Sequence, residues 1–359
     1  MLSPGEVLYR GKVMKNTSSI HIDSKYLQNL GLDLYQLVWE LTSQVPKGRV
    51  TTYGAIAKAL GDIRAARAIG TIEHVNPYAP SVPCHRVVYS DGGIGGFGSP
   101  EGVPKKIKLL ASEGVKVKDE KIVNFKEVLF DDFTISGPPP LEMLRAEQLA
   151  LKNEIVLKDK EPNKKLRTIG GIDATYNDDT AFGAIAILDF DTLELVEAQT
   201  ARIRTRFPYI PTYLSYHELP IIIELMKKII SIPDVIIFDG NGILHPFGLG
   251  LATHAGILLR LPTMGIAKKL LVGELTKSLK GHPDVTQVVY NNQLIGYGLK
   301  PKTAKKKLVF VSPGNLISFK SALNMAKKVC ISRIPEPIRI AHALANEIRK
   351  NQSPVLNSR

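Results

Sequence analysis

Cysteine is nearly absent from this chain: two in 359 residues, Cys84 and Cys330, far apart in sequence. Two distant thiols cannot make the disulfide framework of a small secreted domain, and they fit a reducing compartment where a thiol stays reactive. The opening stretch MLSPGEVLYRGKVMKN lacks the apolar centre of a secretory signal, so none is expected. Long apolar runs are missing too. LPIIIELMKKIISIP is broken by charge, which argues against a bilayer-spanning helix. No internal repeat or long low-complexity tract occurs. A cytoplasmic protein without a membrane partner is expected. The sequence does not fix an oligomeric state, and a monomer is the expectation.

Acidic side chains are the minority charge, 34 against 47 Lys and Arg, which gives a net charge of +13. Such an excess favours a polyanionic partner. It is uneven: residues 1–136 hold 17 basic and 14 acidic side chains, the remainder 30 and 20. An ordinary solvated basic surface has the same composition, so a nucleic-acid partner needs support from motifs. The 44% hydrophobic content is ample for packed cores. The length fits two domains at a prior of roughly 150 residues each.

Ser136-Gly137-Pro138-Pro139-Pro140 marks the clearest boundary, because a proline run cannot continue a helix or a central strand. We read residues 131–140 as a linker between a domain over 33–130 and a second over 141–359. Before it, DLYQLVWELTSQ has the spacing of an amphipathic helix, with Trp39 in the core. TTYGAIAKAL, a turn at Gly61-Asp62, and IRAARAIGTIEHV then give two helices at helix-turn-helix spacing. Behind the linker, LEMLRAEQLALKNEIVL reads as a helix. TIGGIDATY, AFGAIAILDF and ELVEAQTARIR read as three strands joined by short turns, and DVIIFDG as a buried strand ending in an acid. The fold class expected is multi-domain α/β: a small, mainly helical domain with a helix-turn-helix, followed by a mixed sheet flanked by helices.

Pro83-Cys84-His85-Arg86-Val87-Val88 holds the most informative chemistry. A thiolate is the strongest common side-chain nucleophile, and cationic or hydrogen-bonding neighbours raise its population. An isolated Cys-His pair is more often a buried structural feature, so the surroundings decide. GRVTTYGAIA, AARAIG, Asn76-Pro77 and LLASEG flank PCHRV in order, and together over residues 33–118 they resemble the alkylguanine-DNA alkyltransferases. The resemblance implies that Cys84 accepts the alkyl group and that His85, held by Glu113 and linked to the thiol through water, generates the thiolate. Tyr53 would assist the guanine leaving group. Arg67 would enter the duplex where the base has swung out, and Asn76 would be the hinge beside the active-site loop. Val87 and Phe97 would line the base pocket, with no cofactor. Flipping a base costs a few kcal/mol and needs a plug in the duplex. Ala65, Ala66, Ala68 and Gly70 keep the second helix slim, for close groove approach or for tight packing. This chain departs from the family in having Phe97 where Tyr is common, and in leaving only a short N-terminal remnant at 1–32.

Three acids stand out beyond the linker: Asp173 in a strand, Glu218 opening a helix, and Asp239 ending a buried strand. Hard cations want carboxylate oxygens, but scattered acids more often serve as caps. Their contexts, GIDATY, FPYIPTYLSYHELP, DGNGILHPFGLGLATHAG and GIAKKL, resemble endonuclease V over residues 141–350. That resemblance implies a ribonuclease H-like fold and Mg2+-dependent nicking of DNA on the 3′ side of a deaminated base such as hypoxanthine. Asp173, Glu218 and Asp239 would hold the metal, Lys268 would stabilise phosphate charge, and His342 would sit beside the metal site. Pro208, Tyr209, Ile210 and Pro211 would form a wedge that opens the duplex. Leu214, Gly240, Gly242, His245 and Gly250 would receive the everted base.

Blander readings hold elsewhere. His254 and Cys330 look structural, and KPKTAKKK is a phosphate contact or a solvated loop. Tyr216-His217 stands where the family often has Phe-Arg. The combined expectation is a bifunctional repair protein acting on double-stranded DNA with alkylated or deaminated bases. The alternatives are a non-catalytic damage sensor and a nuclease for inosine in RNA.

Overall fold

The computed structural model describes residues 6–9, 12–15, 22, 27–177, 179–303 and 307–351. Most of the 1–32 remnant lies outside the described residues, as do Ala304, Lys305 and Lys306 of the basic run. Strands β1 (Glu6–Tyr9) and β2 (Lys12–Lys15) pair as an antiparallel hairpin. The chain divides into two compact units. One comprises Gly31–Glu147 and Arg206–Tyr213; the other takes Gln148–Thr205, Leu214 onward and the described residues up to Leu30.

The first unit is mainly helical. Helix α1 (Leu34–Ser43) starts where Asp33 accepts the Gln36 N–H, and it buries Leu34, Val38, Leu41 and Trp39. Strand β3 (Thr51–Thr52) leads into α2 (Tyr53–Ala59), capped by Thr52. Gly61 turns the chain at φ +100°, and Asp62 caps a short 3-10 turn that runs into α3 (Ala66–His74). The helix-turn-helix spacing of the sequence is therefore real. Ala65 and Ala68 face the core, so packing explains those two small residues.

Strand β4 (Val87–Val88) pairs in parallel with β3, which brings the PCHRV segment beside the start of α2. Helix α4 (Gly102–Ser112), the β5 (Val117–Lys118) and β6 (Lys121–Ile122) hairpin, and α5 (Phe125–Val128) complete this part. Helix α6 (Pro140–Leu151) begins inside the proline run expected to be linker. The first turn of a helix accepts proline because its N–H would have no helical partner there. Its last residues, Gln148–Leu151, belong to the second unit.

Arg206–Tyr213 follows three nuclease-type strands in sequence yet folds into the first unit. Tyr213 is fully buried. Its hydroxyl donates to Asp62 Oδ2 at 2.8 Å, with the Leu141 carbonyl 3.1 Å away. The Arg145 guanidinium lies 4.2 Å over the Tyr213 ring and donates to Thr212 Oγ1 at 2.6 Å.

The second unit is built on one sheet of nine strands. In chain order its elements are β7 (Thr168–Asn177), β8 (Thr180–Asp189), β9 (Leu195–Arg204), α7 (Leu214–Lys228) and β10 (Val235–Phe238). Helix α8 (Leu251–Leu259), β11 (Thr263–Ala267), β12 (Glu274–Leu279), β13 (His282–Tyr290) and β14 (Gln293–Leu299) follow. Strand β15 (Val309–Asn315), α9 (Phe319–Val329) and α10 (Glu336–Lys350) end it.

The strand order is β12-β13-β14-β15-β11-β10-β7-β8-β9. Strand β10 runs parallel to both neighbours, and the remaining pairs are antiparallel. Alternation along β10 sends Ile236 and Phe238 into a core with α7 and α8. Val235 and Ile237 enter an opposite core with α9 and α10. A strand covered on both faces reads as an unbroken apolar run, which is why VIIF is legible in the sequence. Gly171 on β7 lets α10 lie flush: a Cβ there would come within 2.4 Å of the Pro337 backbone.

Candidate active sites

In the first unit the 3-10 turn Cys84–Arg86 places three functional groups within one turn of chain. Cys84 is 6% exposed. His85 Nε2 meets Glu113 Oε1 at 2.9 Å, and Arg86 grips the same carboxylate with two bonds, Nη2 to Oε1 at 2.7 Å and Nε to Oε2 at 2.8 Å. Glu113 caps the end of α4, so the helix fixes the relay from behind.

The electrostatics follow from these contacts. Burial alone would raise Glu113, but bonds from Arg86 and His85 outweigh it and hold the carboxyl at about 2. Burial lowers His85 despite the Glu113 carboxylate, so the imidazole is neutral near pH 7. An ionised Glu113 selects the tautomer with hydrogen on Nε2. That leaves a lone pair on Nδ1, which is buried and has no partner among the described residues. Burial raises the Cys84 thiol, offset in part by the Asn76 amide and by Lys106, while Glu73 raises it further. The resting cysteine is a thiol, and deprotonation must accompany attack.

A cavity of about 690 Å³ opens over Cys84, lined among others by Tyr53, Arg67, Gly70, Glu73 and Phe97. Arg67 is exposed on α3. Tyr53 is pushed up to about 12, first by burial and then by Tyr89, Glu73 and Cys84, so it keeps its proton. Asn76 ties down the loop before Cys84: its Nδ2 donates to the Val82 carbonyl at 3.1 Å, and its Oδ1 accepts the Tyr78 N–H at 2.9 Å. Val87 does not line the cavity. Its side chain is fully buried, and its carbonyl accepts from Lys106 Nζ at 2.6 Å.

Two buried ionisable groups of this site went unread in the sequence. Lys106 is 0% exposed and also bonds the Gly96 carbonyl at 3.1 Å, so it clips both sides of the loop that follows Cys84. Burial lowers it to about 8. Glu73, on the apolar face of α3 beside Ile69 and Ile72, is 6% exposed. The available signal was position: each interrupts the apolar face of its helix, and a charge there is rarely accidental.

In the second unit the parallel pairing of β7 with β10 sets Ile172 opposite Phe238. Their successors, Asp173 and Asp239, therefore stand side by side. Glu218 comes from α7, where it occupies the second turn and does not open the helix as expected. Lys268 follows β11, the next strand over, and its Nζ reaches Asp239 Oδ2 at 2.6 Å. His342 sits on α10, five residues past the Gly171 contact at Pro337, and its Nδ1 meets Asp173 Oδ2 at 2.8 Å.

Glu218 and Asp173 feel the neighbouring carboxylates. Burial first, then Asp173 and Asp239, pushes Glu218 up to about 8, and burial also raises Asp173. Among the described residues no three acidic, histidine or cysteine side chains form a ready-made metal cage. Lys268 and His342 instead engage the two aspartate oxygens. A cluster of hard oxygen donors that repel each other in a buried setting nonetheless fits a divalent cation, and the donor set suits magnesium better than a soft metal.

The structure narrows the other expected residues. Pro208 and Ile210 are buried, whereas Tyr209, at 59% exposed, and Pro211 present surface. Leu214 begins α7. Gly240, Gly242, His245 and Gly250 share the loop between β10 and α8. A Cβ on Gly242 would strike the Pro313 carbonyl at 2.0 Å, and one on Gly250 the Asn241 carbonyl at 2.3 Å. Internal backbone packing is thus reason enough for these two glycines. Gly240 has room for a side chain, and His245 is buried, its Nδ1 3.3 Å from the Phe247 N–H. His254 is buried in α8 against Ser215, and Cys330 is buried at the end of α9. Among the described residues no helix is long and apolar enough to cross a membrane.

Comparison with known proteins finds two families in succession along the chain. The family described as Endonuclease V covers residues 149–343, and that described as 6-O-methylguanine DNA methyltransferase, DNA binding domain, covers residues 33–115. Endonuclease V from Bacillus subtilis shares 32% identity at a TM-score of 0.53, covering 62% of this chain and 99% of that one. The catalytic domain of human endonuclease V shares 27% at 0.54, covering 60% and 98%. A bifunctional methyltransferase/endonuclease of Picrophilus torridus is 36% identical over 320 residues, 89% of this chain and 98% of its own. One of Thermoplasma volcanium is 31% identical over 312 residues, 87% and 89%. The mixed nine-stranded sheet after a small helical alkyltransferase unit, the paired motif sets and relatives that span both place this chain in the bifunctional methyltransferase/endonuclease family.

Proposed function

We propose that this protein repairs DNA twice over, by transferring alkyl groups from alkylated guanine to Cys84 and by nicking DNA 3′ to deaminated bases such as hypoxanthine. The observation that carries the first half is the Arg86–Glu113–His85 relay behind a buried cysteine at a cavity large enough to admit a base. With the base flipped into that cavity, the thiol proton passes to His85 Nδ1, and the imidazolium is stabilised by the ionised Glu113. Sγ then forms a bond to the alkyl carbon as the carbon–O6 bond breaks, and the electron pair leaves with the guanine. The Tyr53 hydroxyl, still protonated, supplies a hydrogen bond or proton to that leaving base. Arg67 fills the gap left in the duplex. A thioether has no route back within this site, so each chain acts once.

For the second half, Asp173, Glu218 and Asp239 would hold magnesium, which when bound activates water and offsets phosphate charge. Lys268 brings a second cation to the phosphate, and His342 orients the Asp173 carboxylate. Tyr209, exposed on a turn stiffened by Pro208 and Pro211, is positioned to stack where bases part. The protein works on double-stranded DNA in the cytoplasm. The test is a pair of assays on the full chain. A methylated duplex should leave one methyl on the Cys84 peptide, read by mass spectrometry. An inosine duplex should be nicked in magnesium faster than the matching RNA. Failure of either removes that half.

A further inference from the structure

The mechanism above makes no use of Glu73, yet its carboxyl sits in the wall of the cavity that holds Cys84 and Tyr53. Thr42 Oγ1, from α1, donates to Glu73 Oε1 at 2.5 Å, which fixes the side chain. Oε2 is buried and has no hydrogen-bond partner among the described residues. A carboxyl oxygen is rarely left this way, because its desolvation is not repaid. The groups facing it are known. Thr42 comes from α1, Lys106 from α4, Cys84 from the 3-10 turn and Tyr53 from α2. Lys106 donates to the Val87 and Gly96 carbonyls and makes no ion pair with Glu73 among the described residues. Glu73 thus lines the reaction space, with one carboxyl oxygen enclosed and no counter-ion in contact among the described residues.

We propose that Glu73 is a specificity-determining residue of the alkyl-transfer pocket, discriminating among lesions by the charge of the transferred group. The group must touch Cys84 Sγ to be transferred, and Glu73 is near enough for its charge to act on that thiol. A charge carried on the alkyl group therefore acts on Glu73 at similar range, in a cavity where charges are poorly screened. An anionic adduct such as carboxymethyl brings a second negative charge into this space and is disfavoured. A methyl group is indifferent. A 2-hydroxyethyl group is uncharged and, like methyl, is indifferent. Burial, opposed by Thr42 and Lys106, brings Glu73 to about 7, so the discrimination should itself change across neutral pH.

This inference rests on the alkyl-transfer reading, and one experiment separates the two. Full-length protein is reacted with duplexes carrying O6-methyl-, O6-(2-hydroxyethyl)- or O6-carboxymethylguanine, and modified Cys84 is followed by mass spectrometry. The readout is the ratio of rates on methyl and carboxymethyl lesions. Titration of Cys84 and His85 affects both substrates and cancels in this ratio. In the unaltered protein the ratio should rise about tenfold between pH 6 and pH 8, because the carboxymethyl group is ionised throughout and only Glu73 gains charge. Glu73→Gln keeps a partner for Thr42. It should lower the methyl-to-carboxymethyl ratio at pH 8 by about tenfold or more and remove its pH dependence, while the methyl-to-hydroxyethyl ratio stays unchanged. A carboxymethyl rate equal to the methyl rate at pH 8 in the unaltered protein overturns the proposal even if the variant does not fold. A folded Glu73→Gln with the original ratio overturns it as well. No transfer from the methylated duplex at all would refute the alkyl-transfer reading instead.

Discussion

The relay behind Cys84 and the acidic cluster of the second unit treat buried charge in opposite ways. In the relay, Arg86 and His85 hold Glu113 at about 2, a carboxylate satisfied before any substrate arrives. Around Asp173, Glu218 and Asp239 the carboxyls repel one another, and Glu218 is driven up to about 8. A protein that reacts once benefits from a complete relay, since only the substrate is missing. In the acidic cluster Asp239 has Lys268 and Asp173 has His342, while Glu218 faces both aspartates, and on the proposed reading a divalent cation would relieve that repulsion. The contrast is one of electrostatic closure. Buried pairs are costly to break from one side, and buried like charges are costly to keep without a cation.

The sharpest test exploits the separateness of the two chemistries. Cys84→Ala should abolish alkyl transfer while inosine nicking persists, and transfer at full rate by that variant would remove Cys84 as acceptor. Asp239→Ala should lower nicking on the order of 10³-fold or more, since the metal supplies several kcal/mol of charge stabilisation. Retention of a lesion duplex should survive, which a gel-shift measurement reports. Wild-type turnover in magnesium would show that these carboxylates are not a metal site.

Glu113→Gln probes the closed relay, and transfer should slow by about 10²-fold, the lower range for losing general-base assistance. It also has a pH signature. Glu113 lies near 2 when folded and about 4.3 when unfolded, so its stabilisation is present above the unfolded value and lost as pH falls through the folded one. The native protein should lose stability from about pH 5 toward pH 2 in thermal melts, and the variant should show a flatter acid limb. An unchanged limb would mean the relay is not closed as described.

Smaller effects test the segment that crosses from one unit's sequence into the other's fold. Tyr209→Ala should weaken retention of a lesion duplex by about 1–3 kcal/mol, the scale of one base–aromatic stack. Single strands should be affected less, because separation is already complete. Equal losses on both would make Tyr209 a surface residue without a wedge role. Tyr213→Phe should cost roughly 1 kcal/mol by removing the buried bond to Asp62, seen as a drop of a few degrees in melting temperature. A chain cut after Ser136 loses Asp62 entirely, so residues 137–359 alone should handle duplex DNA less well than the intact protein. Unimpaired nicking by that fragment would show that the anchor has no bearing on the nuclease.

Much of the molecule was determined by sequence alone. PCHRV, the capped helices α1 and α2, and the apolar run VIIF each carry their structure locally, through side-chain caps, periodicity and a nucleophile between matched neighbours. The motif order likewise brought Asp173, Glu218, Asp239, Lys268 and His342 onto one list. Other features arise from chain segments far apart, and no local pattern reports them. Arg86 gripping Glu113 depends on where α4 ends. Ile210 and Pro208 look like a surface wedge as residues, but packing buries both and leaves Tyr209 at the tip. Gly242 and Gly250 look like room for a ligand, yet backbone carbonyls fill that room. Glu73 is the clearest case: no motif in the sequence marks it, and only the packing of α3 against α1 and α2 leaves one of its oxygens buried without a partner among the described residues, in the wall of the Cys84 cavity.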